Sequence, residues 1–459
     1  VPLSWLAGSV VAGTALAVIF SLSPLTLIVA ALLPVLLGAA GAGLPRDELR
    51  WLWLIVVSSV LVRAAVIVVL LLISDHDSQA TAILSGDEAY SLSRTLRIRN
   101  ILLGIPLLKY DYQIAAEEYG RSSYLTLLTV LQVLFGPSPY GVRLVNVLLF
   151  VAAAMLLFRL ALKTYGRLPA FSMLVAILLL PTLFFWSISI LKESLYFALV
   201  ATVLGGTFVA CRDERLVKRV AAGGAALVAL WALRDLRAGA IYLVGGGIAI
   251  GLLLHFASAS LRRLAVSTAA MLLIGAALLS RPAVRDYLHT AVEDAAVVQL
   301  GHVFTRGHAY KTLDEGFYRR FNPELELTTD EAARYVVRAL ASFAVQPWPW
   351  RMATDNELVF LPEHVLWYVA LLLGAVGFVV GLSRDRLTTC LLAGLMLPTV
   401  VVVALTNGNV GTLIRFRGLV WPYLLMFASL GACALIERAL TAGRRGVGPL
   451  PQDAVPELS

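Results

Sequence analysis

The chain has 459 residues, of which 59% are hydrophobic and only 14% charged, and its mean hydropathy is +0.84. It is too apolar to close as one water-soluble domain, whose surface needs far more polar side chains, so a soluble enzyme, a nucleic-acid-binding module and a secreted disulfide scaffold are excluded. The net charge of +8 is therefore read from how Lys and Arg divide among loops, not as a nucleic-acid signal.

Long apolar runs specify an all-α polytopic membrane protein, because a helix closes its backbone bonds within the spanning segment. Residues 1–45 carry no charged side chain, exceed one crossing and lack the basic start of a signal peptide. They are expected to form two N-terminal spans meeting near Ser23-Pro24. Region 46–280 is the expected transmembrane core, with apolar runs at 51–73, 142–162, 169–187, 193–211, 220–233, 238–256 and 264–280. Runs at 363–382, 388–405 and 418–436 make a C-terminal group within 363–437, followed by a tail at 438–459. The expected total is about twelve spans. Cys211, Cys390 and Cys433 lie in or at the ends of these runs and imply neither a disulfide framework nor a metal cluster.

With the N-terminus inside, the inner connections and tail hold sixteen basic residues, whereas the short outer connections hold only Lys192, Arg234, Arg237, Arg415 and Arg417. The positive-inside rule then puts both termini in the cytoplasm of a multi-pass plasma (inner) membrane protein. Two long loops, 74–141 and 281–362, face outward and hold most of the acidic residues. In the first, 92–108 and 123–135 read as helices lying along the membrane surface. In the second, Thr328 with Glu331 is a capping-box pattern that opens a helix to about Phe343, and Pro347-Trp348-Pro349-Trp350 suits the headgroup layer.

The segment Gly86-Asp87-Glu88-Ala89-Tyr90-Ser91-Leu92-Ser93-Arg94-Thr95-Leu96-Arg97 holds the most chemistry. Repulsion between adjacent carboxylates at a water-facing mouth favours one of them taking a proton. On a helix, Asp87, Tyr90, Arg94 and Arg97 share a face, which points one acid, one ring and two cations the same way. Arg415 and Arg417, or Arg234 and Arg237 around Asp235, offer planar forks suited to phosphate oxygens, although arginines at span ends also serve as lipid-headgroup anchors. Arg63, near the middle of a span, is a charge in lipid with no carboxylate at comparable depth; a backbone carbonyl or a wet cavity is the alternative partner.

The order of Asp87-Glu88 and Tyr90, Tyr124, Phe135-Gly136-Pro137-Ser138, Arg143-Leu144-Val145-Asn146, Pro181, Trp186-Ser187 and Leu191-Lys192-Glu193 resembles the C-fold (GT-C) glycosyltransferases. Within them it looks most like the lipid-carrier-dependent enzymes that include protein O-mannosyltransferases and aminoarabinose transferases. The resemblance covers about residues 51–211, and more loosely Asn407-Gly408-Asn409-Val410-Gly411-Thr412 with Arg415 and Arg417. It implies a membrane glycosyltransferase of the cell envelope that moves a sugar from a polyprenyl-phosphate carrier to an outward-facing glycan, lipid or protein, usually with inversion. It further implies Asp87 as the base, with Glu88 tuning it or ligating a cation, and Glu193 as the acid at the outer turn between the next two spans. Tyr90, Arg94, Arg97, Lys192, Arg234, Arg237, Arg415 and Arg417 are the expected substrate-binding residues. One departure is that the acidic pair follows the third span rather than the first.

No cofactor is certain. A divalent cation, Mg or Mn, has Asp75, His76, Asp77 and Asp87 as its better candidate ligands; His302 and His308 with Asp314 match no standard spacing. Two other functions fit the same topology. A secondary transporter or lipid-sugar flippase shares the span count, but usually keeps its polar groups at mid-membrane. A polysaccharide polymerase shares the long outer loops.

Overall fold

The computed structural model describes residues 3–74, 86–118, 120–305, 307–319, 324–351, 358 and 360–446. The described chain is helical throughout, with no strand and one isolated bridge between Ala309 and Asn409. The helices are α1 Leu3–Leu22, α2 Pro24–Gly41, α3 Arg46–Ile73, α4 Gly86–Leu102, α5 Lys109–Ala116, α6 Ser123–Phe135 and α7 Pro139–Thr164. After them come α8 Arg167–Leu179, α9 Pro181–Ile188, α10 Glu193–Arg212, α11 Leu216–Ala232, α12 Ala240–Ala257, α13 Leu261–Leu279, α14 Pro282–Val303 and α15 Thr329–Val345. The last four are α16 Leu361–Arg384, α17 Arg386–Thr406, α18 Val410–Arg417 and α19 Trp421–Gly446.

Among the described residues nine helices (α2, α3, α7, α10, α12, α13, α16, α17 and α19) are long and apolar enough to cross a membrane, and the bent pair α8–α9 is either a broken tenth span or a re-entrant loop. The chain is a polytopic helical membrane protein. The two remaining runs of the sequence reading coincide with α1 and with α11, which has only 17 residues.

Local chemistry places the boundaries. Ser23 and Ser138 cap α2 and α7, each with a proline at the first helical position, where a missing N–H costs nothing. Asp385 caps α17 by accepting the Thr388 amide at 2.9 Å. The Thr328/Glu331 capping box forms as expected and starts α15. Close crossings depend on glycine. A Cβ on Gly377 of α16 would lie 1.8 Å from the Phe427 carbonyl of α19, and one on Gly394 of α17 would lie 2.3 Å from the Gly247 carbonyl of α12.

The apolar run expected as one span at 169–187 is broken at Leu180, where α8 and α9 bend by 62°. Pro181 has no N–H to continue the ladder. In an unbroken helix the Leu178 carbonyl would accept the Thr182 amide; here the two are satisfied separately. Arg63 of α3 donates to the Leu178 carbonyl at 2.7 Å, and Glu363 of α16 accepts the Thr182 amide at 2.9 Å. Arg63 also donates to the Ser187 hydroxyl at 2.7 Å and to Ser59, and its guanidinium lies 4.6 Å from the Phe184 ring centroid. A mid-span charge is thus the donor that closes a break in a neighbouring helix.

The second long loop folds as a small unit of its own around Ala296, Leu300, Tyr318, Leu325, Tyr335 and Ala339. Two backbone bonds, Tyr310 amide to Gly408 carbonyl and Val410 amide to His308 carbonyl, both 2.9 Å, join it to the start of α18. The end of α15 is fastened by side chains. Arg417 donates to the Phe343 and Gln346 carbonyls, the Trp367 indole to Ala344 at 2.9 Å, and the Tyr368 hydroxyl to Val345 at 2.7 Å. These carbonyls have no intrahelical partner, and a cation suits the negative end of the helix dipole.

Candidate functional site

Four segments converge at one end of the bundle: the start of α4, the start of α10 with the residue before it, the α11–α12 turn, and α18. Arg415 of α18 lies at their centre. Its Nη1 is 2.7 Å from Asp87 Oδ2, its Nη2 is 2.8 Å from Glu193 Oε1, and its Nε donates to the same Glu193 oxygen at 3.2 Å. Burial works against the Arg415 charge, but the Glu193 and Asp87 carboxylates outweigh it and raise its pKa above the usual arginine value. The Asp87 side chain is 67% exposed, whereas that of Glu193 is 1% exposed, and Glu193 Oε2 has no hydrogen-bond partner among the described residues.

Two further cations stand beside this pair. Lys192 and Arg237 are half-buried, and neither side chain makes a hydrogen bond or ion pair with another described residue. The Arg237 guanidinium lies 4.5 Å from the Phe416 ring centroid. Burial lowers the pKa of Lys192, and the charges of Arg237 and Arg415 lower it further against the pull of Glu193 and Asp87. Burial likewise lowers Arg237. Cations held partly out of water, near carboxylates that are already taken by Arg415, are what an incoming anion would relieve.

Glu88 points elsewhere, since successive helical side chains are turned by about 100°. It is fully enclosed, paired with Arg143 of α7, and accepts the Ile190 amide at 2.7 Å. Arg143 donates to the Ile188 carbonyl at 3.1 Å. Asn146, one turn along α7, donates to the Ser189 carbonyl at 2.6 Å, the Leu191 carbonyl at 3.3 Å and the Tyr124 hydroxyl at 2.8 Å. Three side chains therefore hold the non-helical strap between α9 and α10, and that strap delivers Lys192 and Glu193. The resemblance includes Arg143 and Asn146 but implies no role for them. The signal for them was polar residues three apart at the start of an apolar run.

The structure brings together Asp87, Glu193, Lys192, Arg237 and Arg415 and gives the other expected site residues different partners. Arg94 donates to the Tyr90 hydroxyl at 3.2 Å, Tyr90 donates to Glu117 at 2.8 Å, and Arg97 meets Asp111 at 2.6 Å. The first lies within α4, and the other two run from α4 to α5 and the residue just after it. Arg234 and Asp235, 3.9 Å apart and both well exposed, form a surface pair. Arg417, buried beneath Trp367, fastens α15 as described above.

Asp75, His76 and Asp77 lie outside the described residues. His302 is bonded to the Thr406 carbonyl at 2.7 Å, and Asp314 to Arg338 at 2.6 Å. Among the described residues no three His, Cys, Asp or Glu side chains group as metal ligands. Asp87 and Glu193 would be two ligands for a divalent cation, but Arg415 stands between them, so such an ion does not fit while the guanidinium is seated.

Compared with known protein families, curated proteins and solved structures, the chain shows no match.

Proposed function

We propose that the chain is a membrane glycosyltransferase of the C-fold type, taking a sugar from a polyprenyl-phosphate carrier and transferring it to a glycan, lipid or protein at the outer face of a plasma membrane. The observation that carries this reading is the convergence of two carboxylates and three cations at Arg415. In the proposed topology α1 and α11 complete about twelve spans, both termini are cytoplasmic, and the acid-rich loops face outward.

In the proposed reaction Asp87 takes the proton of the acceptor hydroxyl. The acceptor oxygen forms a bond to the anomeric carbon from the face opposite the phosphate, and the bond from that carbon to the phosphate oxygen breaks. Its electron pair leaves with the polyprenyl phosphate, so configuration inverts. Lys192 and Arg237 supply positive charge for the phosphate, where negative charge grows during the step. Arg415 keeps its hold on Glu193 and turns from Asp87 toward the phosphate, which frees Asp87 as the base. Glu88, Arg143 and Asn146 act by positioning.

The test is deletion of the gene, followed by profiling of envelope glycans and glycolipids with rescue by wild type or Asp87→Asn. A sugar lost on deletion and restored by wild type alone is the expected result. Full rescue by Asp87→Asn would remove Asp87 as the base, and unchanged glycans on deletion would overturn the transferase reading.

A further inference from the structure

We propose that Arg415 is the resident cation of this site: it occupies the seat in which a divalent metal would bridge Asp87 and Glu193, and it keeps such metals out. This holds for the resting protein whatever reaction it performs.

Asp87 and Glu193 come from α4 and α10, 106 positions apart, yet both reach one guanidinium, through contacts of 2.7 and 2.8 Å. Two carboxylates facing each other at a partly dehydrated mouth repel unless a cation stands between them. Magnesium sites are commonly built from one or two carboxylates with waters and substrate phosphate oxygens completing the shell. Asp87 and Glu193 beside the half-buried Lys192 and Arg237 have the acid content of such a seat, but a guanidinium fills it.

A second observation sits at the same place. Among the described residues Glu193 Oε2 is buried without a hydrogen-bond partner, and buried carboxylate oxygens are rarely left so. Arg415 uses only Oε1, so a metal replacing it would find both oxygens of Glu193 and one of Asp87. A guanidinium differs from a metal in two ways that matter here: it is covalently retained, and its flexible stem lets one end move while the other stays paired.

The test is Mn2+ binding to the purified full-length protein in nanodiscs, read by electron paramagnetic resonance, with thermal melting to establish that each variant is folded. Wild type is expected to show no Mn2+ site that Glu193→Gln or Asp87→Asn removes. Arg415→Ala is expected to gain one site, tighter than any in wild type by about tenfold or more, since site affinity follows ligand charge. Adding Glu193→Gln to Arg415→Ala abolishes that site, and Arg415→Lys, which keeps a cation there, does not open it. A wild-type site lost in Asp87→Asn overturns the proposal, as does a folded Arg415→Ala that gains nothing. Should Arg415→Ala fail to fold, Arg415→Gln, which keeps a polar side chain without the charge, takes its place: a gained Mn2+ site lost on adding Glu193→Gln is expected, and a folded Arg415→Gln that gains none overturns the proposal.

Discussion

The Glu88 carboxylate and the Arg143 guanidinium pair where neither side chain meets solvent, 0% and 1% exposed, although Asp87 next in sequence is largely open to it. Removing one partner of an enclosed pair leaves a buried charge. Arg143→Ala is therefore expected to destabilise the protein by about 3–5 kcal/mol. Glu88→Gln strands the Arg143 charge and is expected to destabilise the protein by a similar amount, although it keeps an acceptor for the Ile190 amide. Thermal unfolding in detergent compares the two; an Arg143→Ala protein as stable as wild type would contradict the pairing.

The break between α8 and α9 yields a coupling experiment. Glu363→Leu orphans the Thr182 amide and Arg63→Leu orphans the Leu178 carbonyl, each loss costing about 1–3 kcal/mol for the stranded group. In the double variant those two groups are free to bond each other, as they would in a straight helix. Its destabilisation should be smaller than the sum of the single effects. Strict additivity in a double-mutant cycle would show that the charged pair is not serving the break.

Arg417 holds two carbonyls at the end of α15 with a planar fork, which a single ammonium cannot reproduce. Arg417→Lys should speed amide hydrogen exchange across 329–346 while leaving the exchange of α12 and α17 as in wild type. Equal protection of 329–346 in both proteins would show that the fastening lies elsewhere.

Lys192 supplies a pH dependence. Its folded pKa lies below the ordinary 10.5, first because of burial and then because of Arg237. Between the folded and unfolded values the unfolded chain binds more protons, so the contribution of Lys192 to stability grows as pH rises through that window. Its charge is lost over the same window, so binding of a polyprenyl phosphate should weaken as pH rises. Titrating that binding against pH should place the fall at higher pH in Lys192→Arg; identical profiles would exclude Lys192 from the phosphate seat.

Hydropathy, helix caps and span-end prolines act over a few residues, so the sequence by itself determined the membrane class, most helix positions and the Thr328/Glu331 start of α15. It also singled out Asp87 as one of an adjacent acidic pair and Lys192, Arg237 and Arg415 as cations at outer span ends, where charge meets lipid headgroups; Glu193 entered only through the resemblance. It did not show that Glu88 and Asp87 have separate partners, since that depends on which helix packs against each side of α4. Nor did it show that Pro181 breaks a span whose two loose ends are taken by Arg63 and Glu363, 300 positions apart. Arg415 meets Asp87 across 328 positions. Only the tertiary structure decides such pairs, because an ion pair or a stray backbone bond is settled by distance in space, and helix packing sets that distance.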